Sequence, residues 1–369
     1  MDGKITAERR TVMVTRIVVT VAIVATAVLM LNRFVLFMPP KPEAEPTRRG
    51  ASVAGARFVG EMGRRFSEVP LESRLPLPAA VAAWTDEVTI FDAEGRFLRR
   101  TGSGVTGPSP RWARGRVPLP DLIFEVTAAA YDRDGRLYVA ASAGESGLLL
   151  LFAESRTGDA VGTSSWEKIA EAAASAAVCS AEGYLAGFGG AVMRLGEPIE
   201  TLRVPAASAK TLSAISFSGA RGAVAAENFL ATTIDGGVTW KEVTLQSPAR
   251  LMSQPVTVTA LAQLPTGSVI VATMNELLYV AAEGRRAEVI EGSAGRGWRS
   301  LAAAGDGRRV YAGGDWPEGG TALAVSLDGG VTWNVAPSPE AVRQPVEFIT
   351  APEPGAVAIT TDGRWWQSD

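Results

Sequence analysis

The sequence predicts an all-β fold, a β-propeller of six blades with seven as the alternative, preceded by one transmembrane helix. Three observations predict it. An apolar run, a glycine turn and a second apolar run recur six times at a spacing of about 44 residues, the length of four short strands. Near-copies of one octapeptide occur twice, with their aspartates 93 residues apart, about two repeats. A single long apolar stretch lies close to the amino terminus.

In chain order, residues 1–16 form a short basic tail and residues 17–38 the membrane segment. Ile17 to Met38 is apolar apart from Thr20, Thr26, Asn32 and Arg33, and these 22 residues span about 33 Å as a helix, the thickness of a bilayer core. A cleaved signal peptide is the competing reading. Ala25-Thr26-Ala27 is the nearby small-x-small stretch, but hydrophobic residues follow it where a cleavage region turns polar. No cysteine follows that would carry a lipid, so an uncleaved signal anchor is the expectation. Lys4, Arg9, Arg10 and Arg16 on one side nearly balance Arg33, Lys41, Arg48 and Arg49 on the other. A short leading tail ordinarily stays cytoplasmic, which puts the propeller on the periplasmic side of a bacterial inner membrane.

Residues 39–79 read as a spacer and lead-in. Pro39 to Pro46 carries alternating prolines and charges and is stiff. Ala51 to Phe66 places Val53, Phe58, Val59, Met62 and Phe66 among Arg57, Arg64 and Arg65, the pattern of a short amphipathic helix or of a partly ordered lead-in.

The propeller is expected over residues 80–369. Its aligned turn glycines are Gly135, Gly183, Gly222, Gly267, Gly307 and Gly355. The sixth copy stops about 25 residues after Pro345, so Val88 to Leu98 is expected to supply its missing hairpin and close the ring. If Trp365-Trp366 is already the third strand of that blade, residues 80–101 are free to build a seventh. Two stretches exceed a blade connection: Thr101 to Leu119, rich in Gly and Pro around Trp112 and Arg114, and Asp315 to Gly320, tipped by Trp316. Aromatic and arginine side chains are common interface anchors. Candidate partner-binding residues are therefore Phe58, Arg64, Arg65, Phe66, Trp112, Arg114 and Trp316.

The octapeptides are Thr233-Ile-Asp235-Gly-Gly237-Val-Thr-Trp240 and Ser326-Leu-Asp328-Gly-Gly330-Val-Thr-Trp333. An aspartate there accepts backbone amides, the glycines permit a left-handed turn, and the tryptophan covers the hairpin. Both match Ser/Thr-x-Asp-x-Gly-x-Thr-Trp, and the chain resembles the Asp-box, or BNR-repeat, propellers. Weaker copies are read at Asp92-Ala-Glu-Gly95 and at Ser164-Ser-Trp166. Sialidases, sortilin-type receptors and photosystem II assembly and stability factor-like propellers share this box. It lies in the blade hairpin in all of them, so the resemblance implies a structural role for Asp235, Gly237, Trp240, Asp328, Gly330 and Trp333 and carries no activity across.

Composition narrows function. There is no histidine, which excludes His-based acid–base and nucleophile systems and the commonest zinc ligand. The one cysteine, Cys179, falls in an expected inner strand as a structural residue, and a net charge of −3 does not suggest nucleic-acid binding. No catalytic, cofactor or metal residue is assigned. The expectation is a membrane-anchored, non-catalytic accessory subunit or assembly factor of a larger integral membrane complex, a photosynthetic or other bioenergetic one being the first to test. A sialidase-like hydrolase is the alternative. Its arginine segment has partial counterparts at Arg116 and Arg203, but the five tyrosines, Tyr131, Tyr138, Tyr184, Tyr279 and Tyr311, fall in or beside expected strands with no evident nucleophile pair. A peptide-binding receptor is a third class.

Overall fold

The computed structural model describes residues 56–61, 66–68, 75, 77–85, 87–101, 111–120, 123–143, 148–156, 164–173, 177–245, 255–315, 321–336, 344–351 and 356–368. The expected tail, the expected membrane segment 17–38 and the proline spacer lie outside them. No helix among the described residues is long and apolar enough to cross a membrane.

Two short strands, β1 (Arg57–Glu61) and β2 (Phe66–Glu68), precede the blades. The first blade is β3 (Pro78–Trp84), β4 (Glu87–Asp92), β5 (Arg96–Thr101) and β6 (Arg111–Arg116). The second is β7 (Glu125–Tyr131), β8 (Leu137–Ser142), β9 (Leu148–Arg156) and β10 (Ser164–Ala173). The third is β11 (Ala177–Ala181), β12 (Tyr184–Gly187), β13 (Ala191–Arg194) and β14 (Glu200–Arg203). The fourth is β15 (Ala214–Ser218), β16 (Arg221–Ala226), β17 (Phe229–Thr233) and β18 (Lys241–Glu242), followed by β19 (Thr244–Leu245). The fifth is β20 (Val258–Gln263), β21 (Val269–Thr273), β22 (Leu277–Val280) and β23 (Arg286–Val289). The sixth is β24 (Gly297–Ala303), β25 (Val310–Asp315), β26 (Thr321–Ser326) and β27 (Thr332–Val335). The seventh is β28 (Val346–Thr350), β29 (Val357–Thr360) and β30 (Trp365–Ser368).

The ring therefore has seven blades, not the six of the first expectation. The count failed at one turn. The first hairpin of blade one turns at Thr85, which takes the left-handed conformation itself (φ 51°), so no glycine marks it. Val88 to Leu98 is then the second hairpin of that blade, turned at Gly95 (φ 80°), and does not complete the last one. Closure comes from further upstream. β2 pairs antiparallel with β30 as the fourth strand of blade seven, with Phe66 opposite Ser368, and β1 lies parallel to β27 on the outer edge of blade six. The propeller thus reaches back to Arg57, and the stretch read as an amphipathic helix contributes two strands. Its alternating Arg57, Phe58 and Val59 suit a strand edge as readily as a helix face.

Second strands are buried on both sides and read as continuous apolar runs, such as Leu137 to Ala141 and Val269 to Ala272. Packing is between blades, in seven clusters that run round the ring. The seam of blades one and two, for example, joins Phe91 and Phe97 to Tyr131, Leu137 and Phe152. The closing seam joins Val88, Ile90 and Leu98 of the first blade to Val357, Ile359 and Trp365 of the seventh. Each fully buried large side chain there contributes about 1.5–3 kcal/mol, so the ring is shut by packing as well as by β2. Arg100 adds a hydrogen bond across this seam to Gln367 (2.7 Å).

Two further expectations are corrected. Gly222 is a strand residue: a Cβ there would sit 2.3 Å from the Phe217 ring, while the turn is made by Gly219 (φ 63°). Residues 111–116, read as part of a long irregular loop, are the outer strand β6 of blade one. Gly355 lies outside the described residues.

Candidate functional site

Strand order fixes two ends of the propeller. The turns joining first to second and third to fourth strands share one end, and both octapeptide turns lie there, between β17 and β18 and between β26 and β27. In the first, Asp235 accepts the Thr233 hydroxyl (2.7 Å), the Thr239 amide (2.9 Å) and the Thr239 hydroxyl (2.5 Å), while Gly237 N–H donates to Thr233 Oγ1 (3.0 Å). Hydrogen bonds from the Thr239 hydroxyl and amide and from Thr233 hold the Asp235 carboxyl down at about 2. In the second, Asp328 accepts Ser326 Oγ (2.9 Å), Thr332 N (2.8 Å) and Thr332 Oγ1 (2.6 Å). Partial burial opposes ionisation of Asp328, but the same set of donors outweighs it and lowers its pKa.

The weaker copies separate. Trp166 lies near the start of the outer strand of its blade, as Trp240 and Trp333 do in theirs, and sits edge-on to Phe91 and Phe97. Asp92 belongs to a second-to-third turn at the other end, where its carboxylate takes the Arg96 amide (2.8 Å) and Nε (2.5 Å).

On the octapeptide end, the seven inner strands β3, β7, β11, β15, β20, β24 and β28 surround a central cavity of about 510 Å³. Its wall is built from small side chains such as Ala82, Ala129, Ala181 and Ala302, because seven strands converge on one axis. Ser180, Ser216, Gln263 and Thr350 add polar groups, and Glu182 brings an exposed carboxylate to the rim.

Between blades one and two lies a buried ionic cluster that reaches the cavity lining at Tyr131. Arg99 makes a bidentate pair with Glu154 (2.8 Å to each oxygen) and also contacts Glu87 (3.1 Å) and Thr89 (3.1 Å). The Tyr131 hydroxyl donates to Glu87 and lies 2.9 Å from Thr89 Oγ1. Burial, then the Glu87 charge, pushes the Tyr131 hydroxyl far above the usual tyrosine range. Burial alone would lower Arg99, but hydrogen bonding to Glu154 and the surrounding negative groups outweigh it and raise it. A Tyr–Glu pair thus exists that sequence reading missed. Its sole advance trace was a pair of charges, Arg99-Arg100, inside an apolar hairpin. Tyr131 is one of the residues lining the central cavity, yet it is only 1% exposed.

The sequence-derived contact residues do not converge. Phe58 is half-buried between Trp298 and Trp333, with ring centroids 6.1 Å from each, and the Arg296 guanidinium lies 4.9 Å from its ring. Phe66 is in β2, opposite Ser368. Trp112 meets the Trp365 ring edge-on at 5.1 Å, whereas Arg114 is exposed on β6. Arg64, Arg65 and Trp316 lie outside the described residues. Arg116 and Arg203 are exposed on outer strands and line no part of the central cavity. Cys179 is half-buried on inner strand β11, its thiol directed at the Leu212 carbonyl (3.4 Å), and burial raises its pKa. Among the described residues no group of three or more Cys, Asp or Glu is placed to hold a metal ion.

No protein-family model matches the chain, and no curated protein matches it. Solved structures do. One is YCF48 bound to D1 peptide, with TM-score 0.59 and 12% identity, covering 86% of this chain and 99% of that one. YCF48 from Cyanidioschyzon merolae has TM-score 0.57 and 14% identity, covering 82% and 98%. U3-55K has TM-score 0.56 and 11% identity, covering 84% and 99%. At these identities the likeness establishes the propeller fold.

Proposed function

We propose that this protein is a non-catalytic docking propeller of the Asp-box type, anchored in a membrane through residues 17–38, that serves as an accessory subunit or assembly factor of a larger membrane complex. The observation that carries it is the open central cavity. It is large enough for a few residues of an extended chain, and its lining mixes small apolar and hydroxyl groups with larger side chains such as Trp84 and Phe217. The Tyr131–Glu87 pair at its lining is buried and held by Arg99 in a cluster that favours rigidity over turnover. The occurrence of a D1 peptide on one structural neighbour is consistent with peptide capture by such a face. The resemblance of the octapeptides to photosystem assembly propellers makes a photosynthetic complex the first partner to test.

Affinity purification of the full-length chain in mild detergent, followed by mass spectrometry, tests this reading. Co-recovery of the subunits of one membrane complex supports it. Recovery of the protein alone, from membranes whose candidate complexes are intact, overturns it. Turnover of a fluorogenic sialoside would instead favour the hydrolase reading, and the Tyr131–Glu87 pair would then be the group to mutate.

A further inference from the structure

The two octapeptide turns are alike in sequence and unlike in surroundings. In the sixth blade Trp333 is fully buried, its indole N–H donates to the Gly330 carbonyl (2.9 Å), and Phe58 of β1 covers it. In the fourth blade Trp240 is half-buried and its indole N–H has no hydrogen-bond partner among the described residues. The residues flanking the aspartate follow suit: Leu327 and Val331 are 38% and 37% exposed, whereas Ile234 and Val238 are 69% and 67% exposed.

A second difference is in charge. Arg309 and Arg221 hold the same place in their blades, one residue before the pairs Val310–Ser326 and Gly222–Thr233. Arg309 is neutralised by Asp306 of its own turn (2.7 Å). The turn before Arg221 is Ser218-Gly219-Ala220 and contains no acid. The Arg221 guanidinium makes no ion pair or hydrogen bond among the described residues. It lies over the turn of the next blade, where Nη1 is 2.5 Å from the place a Cβ on Gly267 would occupy.

These features meet in a cleft of about 410 Å³ between blades four and five. Arg221, Thr239, Trp240 and Lys241 line it from one blade, and Gly267 and Glu283 from the other. Among the described residues Lys241 Nζ donates to the Glu283 carbonyl (3.1 Å) and its charge, unlike that of Arg309, is not met by a carboxylate. Two cations, Arg221 and Lys241, line the cleft against the exposed carboxylate of Glu283, while the neighbouring Asp235 carboxylate is already engaged by Thr233 and Thr239, and Ile234 forms an apolar shoulder at the rim.

We propose that this cleft receives an aspartate or glutamate side chain on an extended segment of a partner protein, with Arg221 as the principal donor and Lys241 beside it. Arginine presents a planar fork that matches a carboxylate, and a half-buried fork binds it more strongly than an exposed one. Ile234, which lines the cleft, is placed to contact a residue beside the acid. The proposal rests on the docking reading above and names one chemical feature of the partner.

The test uses the full-length protein in detergent and a fluorescein-labelled dodecapeptide of alternating Glu and Ser, compared with its Gln twin by anisotropy. The expected result is that the Glu peptide binds and that the Gln twin and the Arg221→Ala variant each lose about fivefold or more in affinity, as expected for a charge-assisted pair. Arg221→Lys should recover part of the loss, and Arg309→Ala should leave binding unchanged. Equal binding by wild type and Arg221→Ala, equal binding of the two peptides, or no binding of the Glu peptide overturns the proposal. Displacement by inorganic phosphate at matched ionic strength also overturns it, since the site would then be one for small anions. If wild type and Arg221→Ala recover the same membrane complex and bind the Glu peptide equally, the cleft assignment falls and docking stands. If no complex is recovered while the peptide still binds through Arg221, docking falls and the cleft stands.

Discussion

Replacing each octapeptide tryptophan by alanine separates the two turns energetically. Trp333 is fully buried, hydrogen-bonded through its indole, and packed against Phe58 and the core shared by blades five and six. A Trp→Ala change at such a site leaves a cavity that rigid strands cannot refill, and costs about 3–5 kcal/mol. Trp240 packs on the core of blades three and four while half-exposed, and it forfeits no indole hydrogen bond. Its loss should fall nearer about 1–2 kcal/mol, the ordinary range for a partly buried substitution. Urea unfolding of the full-length protein, followed by far-ultraviolet circular dichroism, should show a much larger midpoint shift for Trp333→Ala than for Trp240→Ala. A Phe58→Ala, Trp333→Ala cycle should show coupling of about 0.5–1.5 kcal/mol, the range for a packed aromatic pair. Equal midpoint shifts for the two tryptophans would refute the claim that β1 seals one turn and leaves the other open. Absence of coupling would remove Phe58 as the seal.

Three further outcomes follow from the geometry. Because the folded pKa of Asp235 is held at about 2 and that of Asp328 is also lowered, their stabilising effect is complete above the unfolded carboxylate value of about 4 and is lost as pH falls below it. Melting temperature measured from about pH 5 to 2 should therefore fall less steeply in Asp235→Asn and Asp328→Asn than in wild type, and parallel curves would count against this. Arg99→Met removes the Arg99 ion pairs of buried Glu87 and Glu154 and should cost about 3–5 kcal/mol, whereas Tyr131→Phe should cost about 1–2, so a milder effect of Arg99→Met in denaturant titration would show that the cluster is not held by these ion pairs. Truncation before residue 47 keeps β1 and β2 and should give a monomeric propeller, while truncation before residue 69 opens blade seven along β30 and should aggregate; a monomer by light scattering in the second case would disprove closure by β2.

What the sequence disclosed, and what it hid, divides along the distance between the groups concerned. Strand runs and glycine turns are local, so most blades could be read from period and turn chemistry alone. The count went astray where local chemistry was atypical: Thr85 makes a left-handed turn without glycine, and Gly222 marks a close approach to Phe217 instead of a turn. The lead-in was ambiguous because its residues satisfy a helix or a strand equally, and only distant partners, Thr332 and Ser368, choose between them. Site chemistry is non-local throughout. Glu87 meets Tyr131 across a blade seam, and Glu154 meets Arg99 in the same way, so no spacing in the chain announces either contact. The octapeptides carry the same point further. Near-identical motifs have different exposure because their neighbours differ: Asp306 neutralises Arg309, nothing in its own turn neutralises Arg221, and β1 reaches one turn and not the other. A repeated motif therefore specifies the turn it builds, while the capacity of that turn to bind is decided by side chains outside the repeat.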